Sequence, residues 1–472
     1  MAPARFRPPR PAGAAAAVTA VTAALVATLL AAGPAGPAGA AGVTGADGCA
    51  GPRTLRVPGA ERLVSACLAD LTTAGTVASG HTVPAEWAGL HPAGAVNPTG
   101  VPGRQLDGYF PDTSTFNTDH GWNHDAQFVV RLPERWNGGL VVAGTPGVRR
   151  QYANDVTISD WVLARGYAYA ATDKGNSGAT FYRDGVRPGD AIAEWNRRVT
   201  ELTLAAKAVV AQRYGRAPRR TIAAGVSNGG YLVRWQLENH PDLYDGGLDW
   251  EGTLWRPEGP NLFDFLPPAM RHYPAYAATG DPAAHDAVVA AGFAPGSEPL
   301  WAFHAAVYWD LTQRIYREEL DPAYDGALEA GTPFCAPGTP ACDADYDYAS
   351  RPPSVHRAVA RISLTGRIAR PMITLHGTLD ALLPITRDSD VYAGMVGREG
   401  RARLHRYYRV EGGNHVDSLY DAYPDLLRPI LPCFRSGFAA LEGWLAGDAP
   451  PAGATLPRPA SGDLANTCSL RG

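Results

Sequence analysis

The sequence predicts an α/β fold: a mostly parallel sheet flanked by helices, with an inserted lid. Three observations carry this reading. Short apolar runs alternate with helical periodicity from Ala126 to Trp250, the alternation breaks over 253–365, and it resumes from Met372 to about Leu445. Strands separated by helices are joined by crossovers, and crossovers leave neighbouring strands parallel. A chain of 472 residues is long enough to bury a large core around such a sheet.

Taken in order, Gln127–Leu132 is an apolar run, Trp136 to Gly139 a turn, and Leu140–Ala143 a second run, which reads as strand, turn, strand. Trp161–Arg165 reads as a helix end closed by Gly166, and Tyr167–Thr172 as a buried strand ending at Asp173. The clearest helix follows, with Ile192, Trp195, Val199, Leu202, Ala206 and Val209 spaced by three and four residues and Gly215 as its stop. Next come a strand at Thr221–Ala224, a tight turn, a helix from about Gly230 to Asn239 and a short strand at Gly247–Trp250. Residues 253–365 hold fifteen aromatics, about 13% against 9% for the whole chain, with frequent proline, and are expected to cap the site. The pattern resumes with a strand at Met372–Leu375, a helix around Asp388–Val396, a strand at Leu404–Val410 and an amphipathic helix near Phe434–Leu445.

Both ends of the chain differ in character from this core. Arg5, Arg7 and Arg10 precede an apolar run from Ala14 to Ala32 and the small residues Ala38 to Ala40, the layout of a secretory signal peptide over 1–40. Residues 41–118 are rich in Gly, Pro, Ala and Thr and read as an irregular N-terminal segment, and 447–472 as a Pro-rich tail. The sheet domain is thus expected in two parts, 119–252 and 366–446, around the 253–365 insertion. Six cysteines in an exported chain favour disulfides; of about fifteen possible connectivities, sequence proximity favours Cys49–Cys67, Cys335–Cys342 and Cys433–Cys468. A net charge of −4 with 19% charged residues gives no footprint for nucleic acid or for an anionic membrane. The expected partner is a small-molecule or oligomeric substrate met outside the cell, with no membrane contact after signal removal.

The chemistry is signalled by Gly225-Val226-Ser227-Asn228-Gly229, a G-x-S-x-G pentapeptide between an expected strand and an expected helix. The glycines permit a sharp turn that lifts the serine hydroxyl above the sheet, and the helix N-terminus favours the negative charge that develops during attack. In this α/β-hydrolase arrangement the chain order is serine, acid, histidine. Asp380 follows the strand Met372–Leu375 and is the expected orienting acid; His415 follows the strand Leu404–Val410 and is the expected general base. His376 competes with His415, and Asp249 and Glu251 compete with Asp380, because the acid can shift between neighbouring strand ends. Asp417 is too near His415 in sequence to serve. The backbone N–H of Asn228 is one expected oxyanion donor, and the loop Gly144-Thr145-Pro146-Gly147 supplies the other from Thr145, Gly144 or Gly147, with Thr145 preferred. Asp173 and Lys174 sit at another strand end near the cleft, while His120 and His124 flank Trp122 in a polar turn without a third metal ligand.

The Ser227 pentapeptide with Gly230, the Asp380 loop and Gly413-Asn414-His415 together resemble two families of secreted α/β-hydrolases, the tannase/feruloyl esterases and the 3-hydroxybutyrate oligomer hydrolases. The resemblance spans about 119–252 and 366–446 and implies ester hydrolysis with a lid between the two blocks. Tannase-type enzymes carry a cysteine before the nucleophile and another after the histidine; here those positions are Val226 and Val416. The Val-Ser-Asn-Gly-Gly form is closer to the 3-hydroxybutyrate oligomer hydrolases.

The expectation is a secreted serine carboxylic ester hydrolase needing no metal or organic cofactor, acting on an aromatic or 3-hydroxyalkanoate ester. Trp301, Phe303, Tyr308 and Trp309 either shape its pocket or pack the lid. A serine peptidase on the same fold would use the same triad. A silent binding module derived from it would lack one member, and none is missing.

Overall fold

The computed structural model describes residues 49, 52, 54–323 and 346–470. The expected signal peptide over 1–40 and the expected Cys335–Cys342 pair lie outside the described residues. Among these described residues ten strands form one sheet: β1 (Arg62–Leu68), β2 (Gly103–Tyr109), β3 (Gln127–Pro133), β4 (Gly139–Gly144), β5 (Ala168–Thr172), β6 (Arg220–Val226), β7 (Gly246–Trp250), β8 (Met372–Gly377), β9 (His405–Val410) and β10 (Ala454–Leu456). Their spatial order is β1-β2-β3-β5-β4-β6-β7-β8-β9-β10. The first three strands and the β3–β5 pairing are antiparallel; every other pairing is parallel.

The parallel strands read as continuous apolar runs because both faces of the sheet are covered. Leu140 and Val142 of β4 join one apolar cluster and Val141 and Ala143 the other. On the first face lie α3 (Asp190–Tyr214), whose Ile192, Trp195, Val199, Leu202, Ala206 and Val209 are all buried, and α4 (Asn228–Asn239) with Tyr231, Leu232 and Leu237. On the second face lies α11 (Leu431–Ala446), with Phe434, Phe438 and Leu441. Each large apolar side chain buried this way contributes about 1.5–3 kcal/mol. A charge at Val142, in the sheet centre, would therefore be among the most damaging single changes.

Between β7 and β8 the chain leaves the sheet and builds the insertion from α5 (Leu262–Thr279), α6 (Pro282–Ala291), α7 (Glu298–His304), α8 (Asp310–Leu320) and α9 (Pro353–Ala360). Asn261 and Asp264 start α5 with reciprocal side-chain to backbone hydrogen bonds. Two shorter helices precede α3 in the chain, α1 (Thr73–Ala78) and α2 (Asp160–Ala164), and α10 (Ser389–Arg398) follows β8. The α7–α8 junction, Ala305–Trp309, is a π-helical turn, a wider coil that shifts the facing of the side chains after it.

The segment expected to be irregular, 41–118, contains β1 and β2, which extend the sheet by an antiparallel pair. β2 hides from hydropathy because its buried positions are polar. Gln105 accepts from Arg131 and donates to Asp107, and Asp107 accepts from the Tyr152 hydroxyl at 2.6 Å. A hydrogen-bond network there does what an apolar face does elsewhere. The tail contributes β10, parallel to β9, and is held to α11 by Cys433–Cys468; Cys49–Cys67 ties the N-terminal segment to β1. Among the described residues no helix is long and apolar enough to cross a membrane.

Candidate active site

β6 ends at Val226 and α4 begins at Asn228, so the whole reversal falls on Ser227, which has φ +57° and ψ −120°. That left-handed backbone is costly for a side chain and persists only where surroundings hold it. Here the Ser227 N–H donates to Trp250 O at 2.8 Å, and Tyr231 N–H returns to Ser227 O at 2.9 Å. The flanking glycines are required by contact: a methyl on Gly225 would lie 2.2 Å from Gly229 O, and one on Gly229 would lie 2.2 Å from Gly144 O. The same close approach brings the loop after β4 against the start of α4.

The three residues singled out in the sequence as serine, acid and histidine meet above the carboxyl ends of β6, β8 and β9. His415 Nε2 lies 3.0 Å from Ser227 Oγ, and His415 Nδ1 lies 2.9 Å from Asp380 Oδ2. A carboxylate against Nδ1 puts the ring proton there and leaves Nε2 free to accept from the serine hydroxyl. Asp380 Oδ1 accepts from the backbone N–H groups of Leu382 and Leu383 at 2.7 and 2.8 Å. Burial raises the Asp380 pKa, but the facing His415 and His376 outweigh it and hold the carboxyl well below the usual carboxylate range. The acid therefore stays ionised.

The competing residues are separated by their partners. His376 lies in the sheet interior, with Nδ1 2.6 Å from Ser389 Oγ and Nε2 2.9 Å from Leu383 O and 3.2 Å from Asp380 Oδ2; it braces the acid from behind. Asp249 accepts from Arg234 Nε at 2.7 Å, from Thr374 Oγ1 at 2.9 Å and from Gly252 N–H at 2.8 Å, all in the interior. Glu251 does reach the histidine, its Oε2 lying 3.4 Å from His415 Nδ1. Asp417 instead caps α11, accepting from the N–H groups of Ile430 and Leu431 at 2.7 Å, and burial pushes its carboxyl up to about 7.

Asn228 is fixed on three sides. Its Nδ2 donates to Gly147 O at 3.0 Å and to the Tyr316 hydroxyl of α8, and its Oδ1 accepts from Thr253 Oγ1 at 3.0 Å. Thr145 is fully buried just past β4; its hydroxyl donates to Arg149 O at 3.0 Å and accepts from Lys174 Nζ at 2.5 Å. Lys174 is itself buried, lies 5.2 Å from the Trp195 ring centroid, and is pulled down to about 7 by desolvation. Asp173 is likewise buried, accepting from Asn117 and from the N–H groups of Gln127 and Gly175. The Asp173–Lys174 turn thus supports the loop after β4 from beneath.

In the insertion, Trp301 packs on Tyr276 and His285, Trp309 packs on Tyr273 and Phe293, and both indole N–H groups are bonded within the protein, so these two rings serve lid packing. Phe303 is also buried, while Tyr308 is partly exposed. Sequence reasoning missed His304. It is fully buried at the end of α7 beside the Asn414 side chain, and burial lowers it to about 3 within the field of Asp380 and His415. A lone histidine in an aromatic stretch carries no spacing signal that would have found it.

Among the described residues two groups have metal-like spacing, Glu251 with His376 and Asp380, and Asp112 with Asp184 and Glu194. The first includes Asp380 and lies beside His415. In the second, Arg198 already pairs with Glu194 and Asp112 at 2.9 and 3.0 Å. His120 and His124 do not converge: His120 Nε2 lies 2.6 Å from the Tyr152 hydroxyl and His124 Nδ1 2.5 Å from Asp125 O. Val226 and Val416 are buried in the same apolar cluster.

Residues 113–250 match the tannase and feruloyl esterase family model. Mono(2-hydroxyethyl) terephthalate hydrolase from Piscinibacter sakaiensis is 28% identical over 139 residues, 27% of this chain; the match spans only 23% of that relative's length. Similar solved structures include feruloyl esterase B from Aspergillus oryzae, with 12% identity, TM-score 0.47 and coverage of 83% of this chain and 89% of that one. Tannin acyl hydrolase from Aspergillus niger has 14% identity and TM-score 0.46, over 82% of this chain and 83% of that one.

Proposed function

We propose that this chain, a carboxylic ester hydrolase with an α/β-hydrolase fold, cleaves its substrate through an acyl-enzyme on Ser227. The observation that carries the reading is the Ser227 Oγ to His415 Nε2 distance of 3.0 Å at a strained strand-to-helix turn. His415 takes the hydroxyl proton as Oγ attacks the ester carbonyl, and Asp380 stabilises the imidazolium that forms. The backbone N–H groups of Asn228 and Thr145 receive the oxyanion. As the tetrahedral species collapses, His415 returns the proton to the departing alcohol. Water, deprotonated by the same imidazole, then releases the acid.

The substrate we infer is an aromatic ester of the feruloyl or galloyl kind, or a 3-hydroxyalkanoate ester. An exported enzyme fits the N-terminal pattern of the sequence, and the two disulfides among the described residues fit an oxidising compartment. The test is steady-state hydrolysis of p-nitrophenyl acyl esters, methyl ferulate, methyl gallate and a 3-hydroxybutyrate dimer, beside an aminoacyl p-nitroanilide, by wild type and Ser227→Ala. The expected result is ester turnover that falls about 10³-fold or more in the variant. Cleavage of the anilide alone would replace the esterase reading with a peptidase one.

A further inference from the structure

Glu251 stands where an ordinary triad has no group. It follows β7 directly, and its backbone is in the left-handed region at φ +51°, a conformation that costs a non-glycine residue about 1 kcal/mol or more. Its N–H donates to Leu375 O at 2.9 Å, which sets this bend against the end of β8. The bend delivers the carboxyl to the histidine. Oε1 accepts from Gly377 N–H at 2.7 Å, while the carboxyl also lies against the Trp250 side chain and its fully buried Oε2 is 3.4 Å from His415 Nδ1. The same ring nitrogen is 2.9 Å from Asp380 Oδ2. Two carboxyl groups therefore face one N–H.

Two adjacent buried carboxylates do not both ionise. Asp380 has two backbone N–H groups and two imidazoles around it and keeps the charge. Glu251 has one backbone N–H and the Trp250 side chain and faces that charge; burial and Asp380 together outweigh them and push its pKa well up, so it holds a proton. The other titratable groups around Glu251 are His376 at the end of β8 and His415 and Asp417 beyond β9, while Asp249 on its own strand is neutralised by Arg234.

Accepting the triad reading above, we propose that Glu251 is a positioning residue for His415: a second acceptor that flanks Nδ1–H beside Asp380 and takes over the ring when Asp380 is lost. In the intact enzyme the serine proton moves to Nε2 and back, Asp380 carries the compensating charge, and Glu251 keeps its own proton. Without the Asp380 charge, Glu251 releases its proton to solvent and its carboxylate accepts from Nδ1–H. The proton count then balances as in the original triad.

The test is the kcat and KM of Glu251→Gln, Asp380→Asn and the double variant on one p-nitrophenyl ester across pH, with Ser227→Ala alongside. Gln keeps an acceptor for Gly377 N–H, so the fold is retained. The expected result is a loss of about tenfold or less in kcat for Glu251→Gln, about 10²-fold for Asp380→Asn, and about 10⁴-fold for the double variant, the level of a triad with no working acid. Asp380→Asn should also gain activity with rising pH along a limb that Glu251→Gln removes. Equal activity of Asp380→Asn and the double variant, or a missing limb in a folded Asp380→Asn, would overturn the proposal. Activity persisting in Ser227→Ala would instead overturn the triad reading on which it rests.

Discussion

Tyr316, on helix α8 of the insertion, accepts a hydrogen bond from the side chain of Asn228, the residue next to Ser227. The insertion is thereby coupled to the start of α4, where one oxyanion donor is expected. The Tyr316 ring also packs against Phe181, Trp195 and Trp255, so its position is fixed by apolar contact as well. Removing only the hydroxyl leaves that packing in place. Tyr316→Phe should therefore lower kcat by about threefold to tenfold, the worth of one hydrogen bond near 1 kcal/mol, with little change in KM. An unchanged kcat would show that α4 needs no such tether.

Arg234 is a buried cation between Asp249 at 2.7 Å and Asp388 at 2.9 Å, with Ser389 Oγ at 2.7 Å. Asp388 in turn accepts from Leu254 N–H at 2.7 Å, so the network joins α4, β7, the entrance of the insertion and the start of α10. Arg234→Met leaves two carboxyls unpaired in the interior and should cost about 3–5 kcal/mol in urea unfolding. Adding Asp249→Asn should recover part of that loss. A loss under about 1 kcal/mol would contradict the assignment of this network as structural.

Much of this frame was legible in the sequence, for a physical reason. Where a strand is covered on both faces, as at Leu140–Ala143, or a helix shows one apolar stripe, as at Ile192–Val209, burial writes a periodic signal. Ser227, Asp380 and His415 were legible because tight glycine turns at strand ends leave local motifs. β2 was not, since Gln105 and Asp107 are buried by hydrogen bonding. Glu251 was visible only as a rival to Asp380, because whether two carboxyls compete for a ring or share it depends on a few tenths of an ångström. Lys174 showed only as a strand-end residue near the cleft, with nothing to mark its burial, and His304 left no motif at all.

Lys174 gives a pH signature of stability. Burial depresses its folded pKa to about 7, below the unfolded value of about 10.4. Between those values the unfolded chain binds more protons than the folded one, so this residue makes stability rise with pH from about 7 to about 10. Below pH 7 the cost of the buried charge is fully present. The difference in thermal midpoint between wild type and Lys174→Met should therefore move in favour of wild type as pH rises through that window. A difference that stays flat would contradict a buried, charge-shifted lysine.

His304 is fully buried in the lid, with Asn414 beside it and Asp380 and His415 near. His304→Phe should raise stability by about 1 kcal/mol, since one side-chain partner leaves part of the ring's desolvation cost uncompensated. It should also lower kcat/KM more for hydroxyl-bearing acyl esters than for unsubstituted ones, because a polar substrate group is what would satisfy the ring. Equal losses on both ester types would assign His304 to packing alone.

Covalent chemistry at Ser227 is read out by intact-mass analysis with peptide mapping after treatment with a p-nitrophenyl alkylphosphonate. One adduct per chain is expected, located on Ser227, formed in step with loss of esterase activity and absent from Ser227→Ala. Loss of activity with the adduct on another residue, or an unlabelled Ser227 in the inactivated enzyme, would contradict it.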